Sequence, residues 1–299
     1  MTTTRKTVSD RADACKHIMS LVGIRPDDPI FIILQVNGVL SAGLGFLTRA
    51  DKATVSRMTA VIKEAEGSKM AEEKTLYVSP LNQLQLDMVT KFYQYVQLTK
   101  TTALTDADVM QLTEDDYVVF QGMPTDEKGN VAVTSTLTVV ESDQGKIRWA
   151  FVTALHVSTY QKRSKPELSS YPNFGKRSTF DTYKEKVITL LRTEGIEHVI
   201  MENFVEPAAN THASLLYGEM SLRLFTVLQH SFQGGTHGEM VVARYIEAQN
   251  GIAAWFEIVE HYSNELNNLG VTDIMNKILN LTASEHCYDA KGRTTFWPN

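Results

Sequence analysis

Apolar residues recur at helical spacing through much of the chain, and the clearest example lies in its last third. The apolar positions there stand at offsets of 0, 3, 4, 7, 10 and 14, and they are Ile252, Trp255, Phe256, Val259, Tyr262 and Leu266. Since an α-helix has about 3.6 residues per turn, side chains at these offsets lie along one face. The pattern predicts an amphipathic helix whose apolar face packs in a core.

The amino-terminal segment, from Val8 to about Gly67, has the pattern of short helices separated by turns. Its apolar run from Ile30 to Val36 fits either a buried strand or a short buried helix, because a continuous run carries no period. Asp28 followed by Pro29 favours the helix, since an aspartate caps helix starts and a proline fits the first turn. We therefore predict a helix there.

A longer helix is predicted to begin after Ser79-Pro80 and to continue to about Leu98, where apolar residues keep helical spacing. The serine oxygen can accept a hydrogen bond from an early amide, and the proline lacks an N–H that would have no partner. Two capping-box patterns predict further short helices, and they are Thr105-x-x-Asp108 and Thr113-x-x-Asp116.

The next segment differs in composition. Val131 to Val140 is rich in valine and threonine, which favours a strand or a hairpin. Helical spacing resumes from Ile147 to Tyr160, and Lys165 to Tyr171 has the proline and serine content of a linker. We predict a domain boundary there.

The rest of the chain divides into helix-sized pieces. The first helix is predicted from Ser178 or Thr179 to Gly195, and the second from about Thr211 to Gly234-Gly235. A third follows and stops at Asn250-Gly251, and one more is predicted after Thr272. We predict an all-α protein of two helical domains, 1–165 and 166–285, with room for a short β-hairpin near 131–150 and with a tail at 286–299. The tail has no periodicity and is expected to be an arm or a loose end.

Composition and charge narrow the function. Of the 299 residues 43% are apolar and 21% charged, which is typical of folded globular proteins. The net charge is −6, and 15 acidic against 10 basic residues from Ser170 onward place −5 of it there. Nucleic-acid binding needs basic clusters, so this part is a poor candidate for it. The basic cluster Lys162, Arg163 and Lys165 is interpreted as a solvated linker.

The two cysteines, Cys15 and Cys287, lie near opposite ends of the chain and indicate a reducing compartment. The first residues lack the apolar region of a secretory signal, and the longest apolar stretch, Ile30 to Leu34, is far shorter than a membrane span. We expect a cytoplasmic protein with no membrane association.

Strong catalytic motifs are absent from the sequence: there is no Gly-x-Ser-x-Gly elbow, phosphate-binding loop, His-Glu-x-x-His or paired Cys-x-x-Cys. The remaining candidate is His230 with His237 and Glu239, around a Gly-Gly turn, whose imidazoles and carboxylate could bind a metal. Their spacing matches no known ligand pattern, so a helix-end histidine beside a turn is the simpler interpretation. We expect no cofactor, no small-molecule substrate and no catalysis.

Several elements in order resemble one known family. The chain runs from Tyr171-Pro172-Asn-Phe174-Gly175, through an aromatic at Phe180, to Tyr245, Asn250-Gly251 and Ala-Ala-Trp255 with Tyr262. This is similar to the Gag region of copia-type retrotransposons, in the form found in diatoms and other protists. The resemblance covers about Tyr171 to Leu269. It departs from the family where Phe180 replaces tryptophan and where Asn250 replaces aspartate.

The resemblance implies that 166–285 is a capsid-like helical bundle, and that the chain is a structural protein assembling with copies of itself into a particle or shell. These residues contain no zinc knuckle, so RNA would be captured only through a segment absent from this chain. Two alternatives stay open. One is a domesticated Gag-derived adaptor, and the other is a small metal-dependent enzyme that uses His230, His237 and Glu239.

Overall fold

The computed structural model describes residues 8–43, 45, 52–64, 72–127, 131–134, 136–174, 180–264 and 275. Its contacts divide the chain into two compact units. The first unit comprises Met1–Gln144, Arg148–Arg163 and Glu206–Leu216. The second unit comprises Gly145–Ile147, Ser164–Val205 and Tyr217–Asn299.

The described residues are mainly helical, which confirms the predicted fold class. Up to residue 163 the helices are α1 Val8–Leu21, α2 Pro29–Val36, α3 Val39–Ala42, α4 Lys52–Ser56, α5 Pro80–Thr99, α6 Asp106–Val109, α7 Glu114–Gln121 and α8 Ala154–Lys162. The later ones are α9 Phe180–Glu194, α10 His212–Ser231, α11 His237–Arg244 and α12 over 251–264, with 3-10 turns at Leu168–Ser170 and Glu197–Ile200. Among the described helices, none is long and apolar enough to span a membrane.

Strands occur as two short pairs. The strands β3, Val139–Glu141, and β4, Ile147–Trp149, pair with each other and confirm the hairpin expected near 131–150. The prediction of a helix starting at Ile147 is wrong, because its first residues belong to β4 and α8 begins at Ala154. The apolar residues at 147, 151 and 155 are four apart, but they lie in a strand, in the connection after it and in a helix.

A second hairpin was not predicted. The strands β1, Thr59–Glu64, and β2, Glu72–Tyr77, pair antiparallel. The interpretation of Val8 to about Gly67 as short helices and turns is therefore wrong for β1. Ala60 and Leu76 face each other and are buried, whereas Val61 is 56% exposed. Alternation over so few residues, with apolar side chains on both faces, gives a weak period-two signal.

Helix starts follow the predicted caps closely. Ser79 begins α5, its hydroxyl accepts from the Asn82 amide at 3.2 Å, and the Asn82 side chain accepts from the Ser79 amide at 3.1 Å. Both predicted capping boxes, at Thr105 and Thr113, are confirmed by the same reciprocal bonds. Asp28 occupies the cap of α2 as predicted, but its carboxylate accepts from the Arg25 amide at 2.7 Å instead of from the helix.

The core of the first unit includes an aromatic group. Its rings are Phe92, Tyr95, Tyr117, Phe120 and Phe151, with centroids of contacting pairs 4.8 to 6.3 Å apart. The Tyr95 hydroxyl donates to the Ala150 carbonyl at 3.0 Å. Burial raises the pKa of the Cys15 thiol to about 12, so this cysteine packs as a small apolar side chain.

His156, in the first turn of α8, is almost completely buried in the first unit. Its Nδ1 accepts from the Thr153 amide at 3.1 Å, and its Nε2 lies 3.3 Å from the Thr136 carbonyl. These partners fit the neutral ring with its hydrogen on Nε2. Burial lowers the pKa of His156, although the bond to Thr136 acts in the opposite direction.

We expect acidification to destabilise the first unit through His156. Because its folded-state pKa lies below the unfolded value near 6.5, the stabilisation is present above about pH 6.5 and is lost as the pH falls through that region. The slope reaches about 1.4 kcal/mol per pH unit for one proton. Urea unfolding between about pH 5 and 7.5 should therefore show a flatter dependence in His156→Gln than in the wild type. Parallel slopes would exclude this role.

Several predicted features lie outside the described residues. These are the caps at Ser178 and Thr179, the motif residue Gly175, the helical position Leu266, the helix expected after Thr272, the cysteine Cys287 and the tail 286–299.

Candidate functional site

The entry segment of the second unit, Tyr171 to Phe174, is fixed against the end of α10. Tyr171 and Phe174 are buried, and the Phe174 amide donates to the Ser231 carbonyl at 2.8 Å. A parallel bridge joins Phe174 to Phe232. The segment thus adds a strand-like contact to a helix end and carries its aromatic side chain inward.

Five rings from four parts of the chain then meet in what we call the aromatic core. They are Phe174, Phe180, Tyr183, Phe232 and Tyr262, and the contacting centroids lie 4.7 to 6.3 Å apart. All five rings are buried. Tilted and stacked pairs of this kind stabilise a core beyond the area they bury. The aromatic core therefore holds the entry segment, α9, the end of α10 and α12 together.

A buried ion pair lies at the other end of the entry segment. Glu194, only 1% exposed, is bound by Arg223 through three contacts of 2.8 to 3.2 Å and accepts from the Tyr171 hydroxyl at 2.6 Å. Arg223 also donates to the Pro166 carbonyl at 2.6 Å. Burial, and then the bond to Glu194, raises the pKa of Tyr171. A charged pair taken out of water is tolerated only when its hydrogen bonds are satisfied, as they are here.

The start of α12 lies against the backbone of α10. A Cβ added to Gly251 would overlap the Ser221 carbonyl and the Phe225 amide, and would lie 2.8 Å from the Leu224 carbonyl carbon. Asn250 caps the helix, because its side chain accepts from the Ala253 amide at 3.0 Å. Glycine is required at 251 by this close approach.

The apolar face of α12 differs slightly from the predicted stripe. Trp255 and Tyr262 are buried as expected, whereas Phe256 and Val259 are only half-buried. Ile258 is fully buried and was not predicted. The helix is rotated so that 255, 258 and 262 face inward. Spacing alone could not choose between Ile258 and Val259, because residues three and four positions after Trp255 both fit the helical period.

Two of the three residues considered for metal binding, His237 and Glu239, make other contacts. The Glu239 carboxylate accepts from the Gly235 amide at 2.6 Å, and the His237 ring stacks on His261 at 3.5 Å between centroids. Within the part of the chain that the structure describes, no group of three or more histidine, cysteine or acidic side chains is placed to hold a metal ion. His230, His237 and Glu239 are therefore not gathered into one site.

The residues of the sequence motif are only partly gathered. Tyr171 joins the buried ion pair, while Phe174, Phe180 and Tyr262 join the aromatic core. Tyr245 is half-buried and separate from both, and its hydrogen bond to Glu257 raises the pKa of the tyrosine. Pro172 is half-buried in the entry segment.

Three residues of these clusters were not predicted, and they are Glu194, Arg223 and Phe232. No local pattern distinguishes the first two from solvent-exposed charges on a helix, because their pairing joins positions 29 residues apart. Phe232 follows the apolar face of α10 by one turn, so its inward position could have been inferred from the helical period.

Comparisons with known proteins add no identification: no protein-family model, curated protein or solved structure matches this chain.

Proposed function

We propose that the chain is a Gag-like structural protein whose second unit associates with other copies of the chain into a particle or shell. The observation that carries the proposal is the use of the motif residues. Tyr171, Phe174 and Tyr262 are spread over about 90 residues of sequence, and each serves the packing of the second unit. A motif whose residues form a core of this kind suits a building block, since the shape of the unit must be fixed before identical copies can repeat one contact.

The surface of the second unit offers apolar area for such contacts. Its exposed large apolar side chains are Met201, Val205, Leu222, Met240, Ile246 and Met275, between 40% and 58% exposed. Scattered apolar residues are ordinary on protein surfaces, so they support the proposal only by supplying places where copies could meet.

The proposal also includes a cytoplasmic location and RNA binding through another segment. A cytoplasmic protein with two distant cysteines and a net charge of −6 fits a shell domain that leaves RNA capture to a basic segment elsewhere. Catalysis is not part of the proposed role. A Gag-derived adaptor would share the fold and differ in forming no large assembly.

Light scattering after size-exclusion chromatography tests the proposal. The purified chain is expected to show a molar mass that rises above its 33.5 kDa as the loaded concentration increases. The experiment should be repeated at low and high salt, because contacts between acidic units strengthen when salt screens their repulsion. A mass that stays at one chain under every condition would overturn the proposal and favour the adaptor.

A further inference from the structure

A shallow groove of about 400 Å³ lies on the second unit, between α10 and the turn that precedes α12. Its lining residues are Tyr217, Gly218, Ser221, Leu222, Ala248, Gln249 and Asn250. None of them is charged, in a unit that is acidic overall. The volume falls in the range of about 300 to 1,000 Å³ that ligand sites occupy, and is enough for one or two large side chains.

Two backbone features mark the groove as more than a gap between helices. Gly218 lies inside α10, and a Cβ added there would meet no atom within 4 Å, so the glycine leaves an open floor. Glycine in a helix costs about 1 kcal/mol relative to alanine and is used where another group approaches the backbone closely. Gln249, on the opposite wall, has a φ of 49°, a conformation that non-glycine residues rarely adopt.

The side chains on the walls indicate what would bind. The Tyr217 ring, stacked on Phe204 at 6.2 Å, gives a firm aromatic wall, and Leu222 adds an apolar edge that is 41% exposed. The Gln249 side chain adds an amide at the exposed rim. An uncharged segment with a flat ring or a proline, and a backbone able to bond an amide, suits these walls.

The chain itself contains such a segment, in the tail that lies outside the described residues. Residues 294–299 read Thr-Thr-Phe-Trp-Pro-Asn and carry no charged side chain, and Phe296 to Pro298 supply two aromatic rings and a proline. Lys291 and Arg293 precede them, whereas the exposed Glu247 adjoins the groove residue Ala248. The segment matches the uncharged lining of the groove, and Lys291 and Arg293 are complementary in charge to Glu247.

We propose that the segment Phe296–Pro298 of one copy binds the Tyr217–Gly218–Leu222 groove of a second copy. This inference rests on the proposed self-association and gives it one contact. A tail from one copy in the groove of the next is a head-to-tail contact, which repeats from copy to copy and forms rings or open chains.

The first test uses a labelled peptide of residues 288–299 and the full chain carrying Trp297→Ala, whose own tail then cannot compete. Saturable binding is expected by fluorescence anisotropy. Introducing Gly218→Phe into this Trp297→Ala chain fills the floor of the groove. It should weaken binding of the peptide by at least about tenfold, as loss of a central contact does. Gly218→Ala is the matched control and should bind like its parent, since both substitutions are compatible with the helix.

A peptide with Trp297→Ala should fail to bind. Circular dichroism melts of the Gly218→Phe chain check that the helix is intact. No saturable binding of the unmodified peptide, or binding that Gly218→Phe leaves unchanged, would overturn the proposal.

The second test distinguishes binding between copies from binding within one copy. A full chain with Gly218→Phe retains its tail, and a full chain with Trp297→Ala retains its groove. Mixed together, they are expected to form a pair through the one intact tail and the one intact groove, a contact that neither forms alone. If the mixture shows no complex in sedimentation velocity, the contact between copies is refuted.

The same measurements separate this inference from the proposed function. If the wild type assembles and Trp297→Ala leaves its size distribution unchanged, the tail contact is wrong and the self-association stands. If the wild type remains a monomer at every concentration, the proposed function is wrong and the contact between copies is wrong with it.

Discussion

Replacing Gly251 with alanine is expected to destabilise the second unit by about 3 kcal/mol, at the upper end of the usual cost of overpacking a core. The added methyl group would overlap backbone atoms of Ser221 and Phe225 in the middle of α10. Backbone in a helix cannot rotate away as a side chain can, so α12 must shift and its buried Trp255 must lose contacts. Urea unfolding followed by far-ultraviolet circular dichroism measures the change.

Gly218→Ala provides the control for this prediction, because Gly218 lies in the same α10 helix and faces open space. The gain in helix propensity should stabilise the chain by up to about 1 kcal/mol. The two glycines should therefore respond with opposite signs. A Gly251→Ala chain as stable as the wild type would contradict the close approach of α12 to α10.

The second large effect is expected at the buried ion pair. Arg223→Met leaves the carboxylate of Glu194, whose side chain is 0% exposed, without its charged partner. Removing one member of a buried pair costs about 3–5 kcal/mol, since the remaining charge stays out of water. Urea unfolding of the variant should show a loss of that size.

The control replaces all three polar side chains of the buried cluster together. In a chain with Glu194→Met, Arg223→Met and Tyr171→Phe, no buried charge or hydroxyl of the set is left without a partner. Apolar replacements of a whole buried pair are often neutral or stabilising, so this chain should recover more than half of the stability lost by Arg223→Met. A loss equal to the sum of the single losses would show that the three residues act independently.

Local signals in the sequence were sufficient for most helix boundaries. The capping boxes at Thr105 and Thr113, and the serine-proline start of α5, are read from three or four adjacent residues, and the structure uses them as predicted. The glycine predicted to end α9, Gly195, has a φ of 78°, which a side chain would strain. Such features depend on local backbone chemistry and need no knowledge of the fold.

Features that depend on distant partners were not predictable. The β1–β2 hairpin needs two short strands to find each other, and the Glu194–Arg223 pair joins separate helices. The rotation of α12 depends on what lies against it, so Ile258 could not be chosen over Val259 from spacing. In each case the deciding energy comes from tertiary contacts, which a period in the sequence does not encode.

The candidate site likewise combines features that the local sequence predicts with features that it does not. The motif Tyr171-Pro-Asn-Phe174 was recognisable as a unit, and its aromatic residues proved to be buried. The groove that we propose for the tail was not foreseeable, because its floor is a glycine and its wall is a glutamine with an unusual φ. Neither residue has a sequence signature of binding.

Sedimentation velocity of the full chain, from low micromolar to several hundred micromolar concentration, tests self-association most directly. We expect the weight-average sedimentation coefficient to increase with concentration and species larger than dimers to appear at the upper end. A single boundary at the value of one 33.5 kDa chain, unchanged over the whole range, would contradict it.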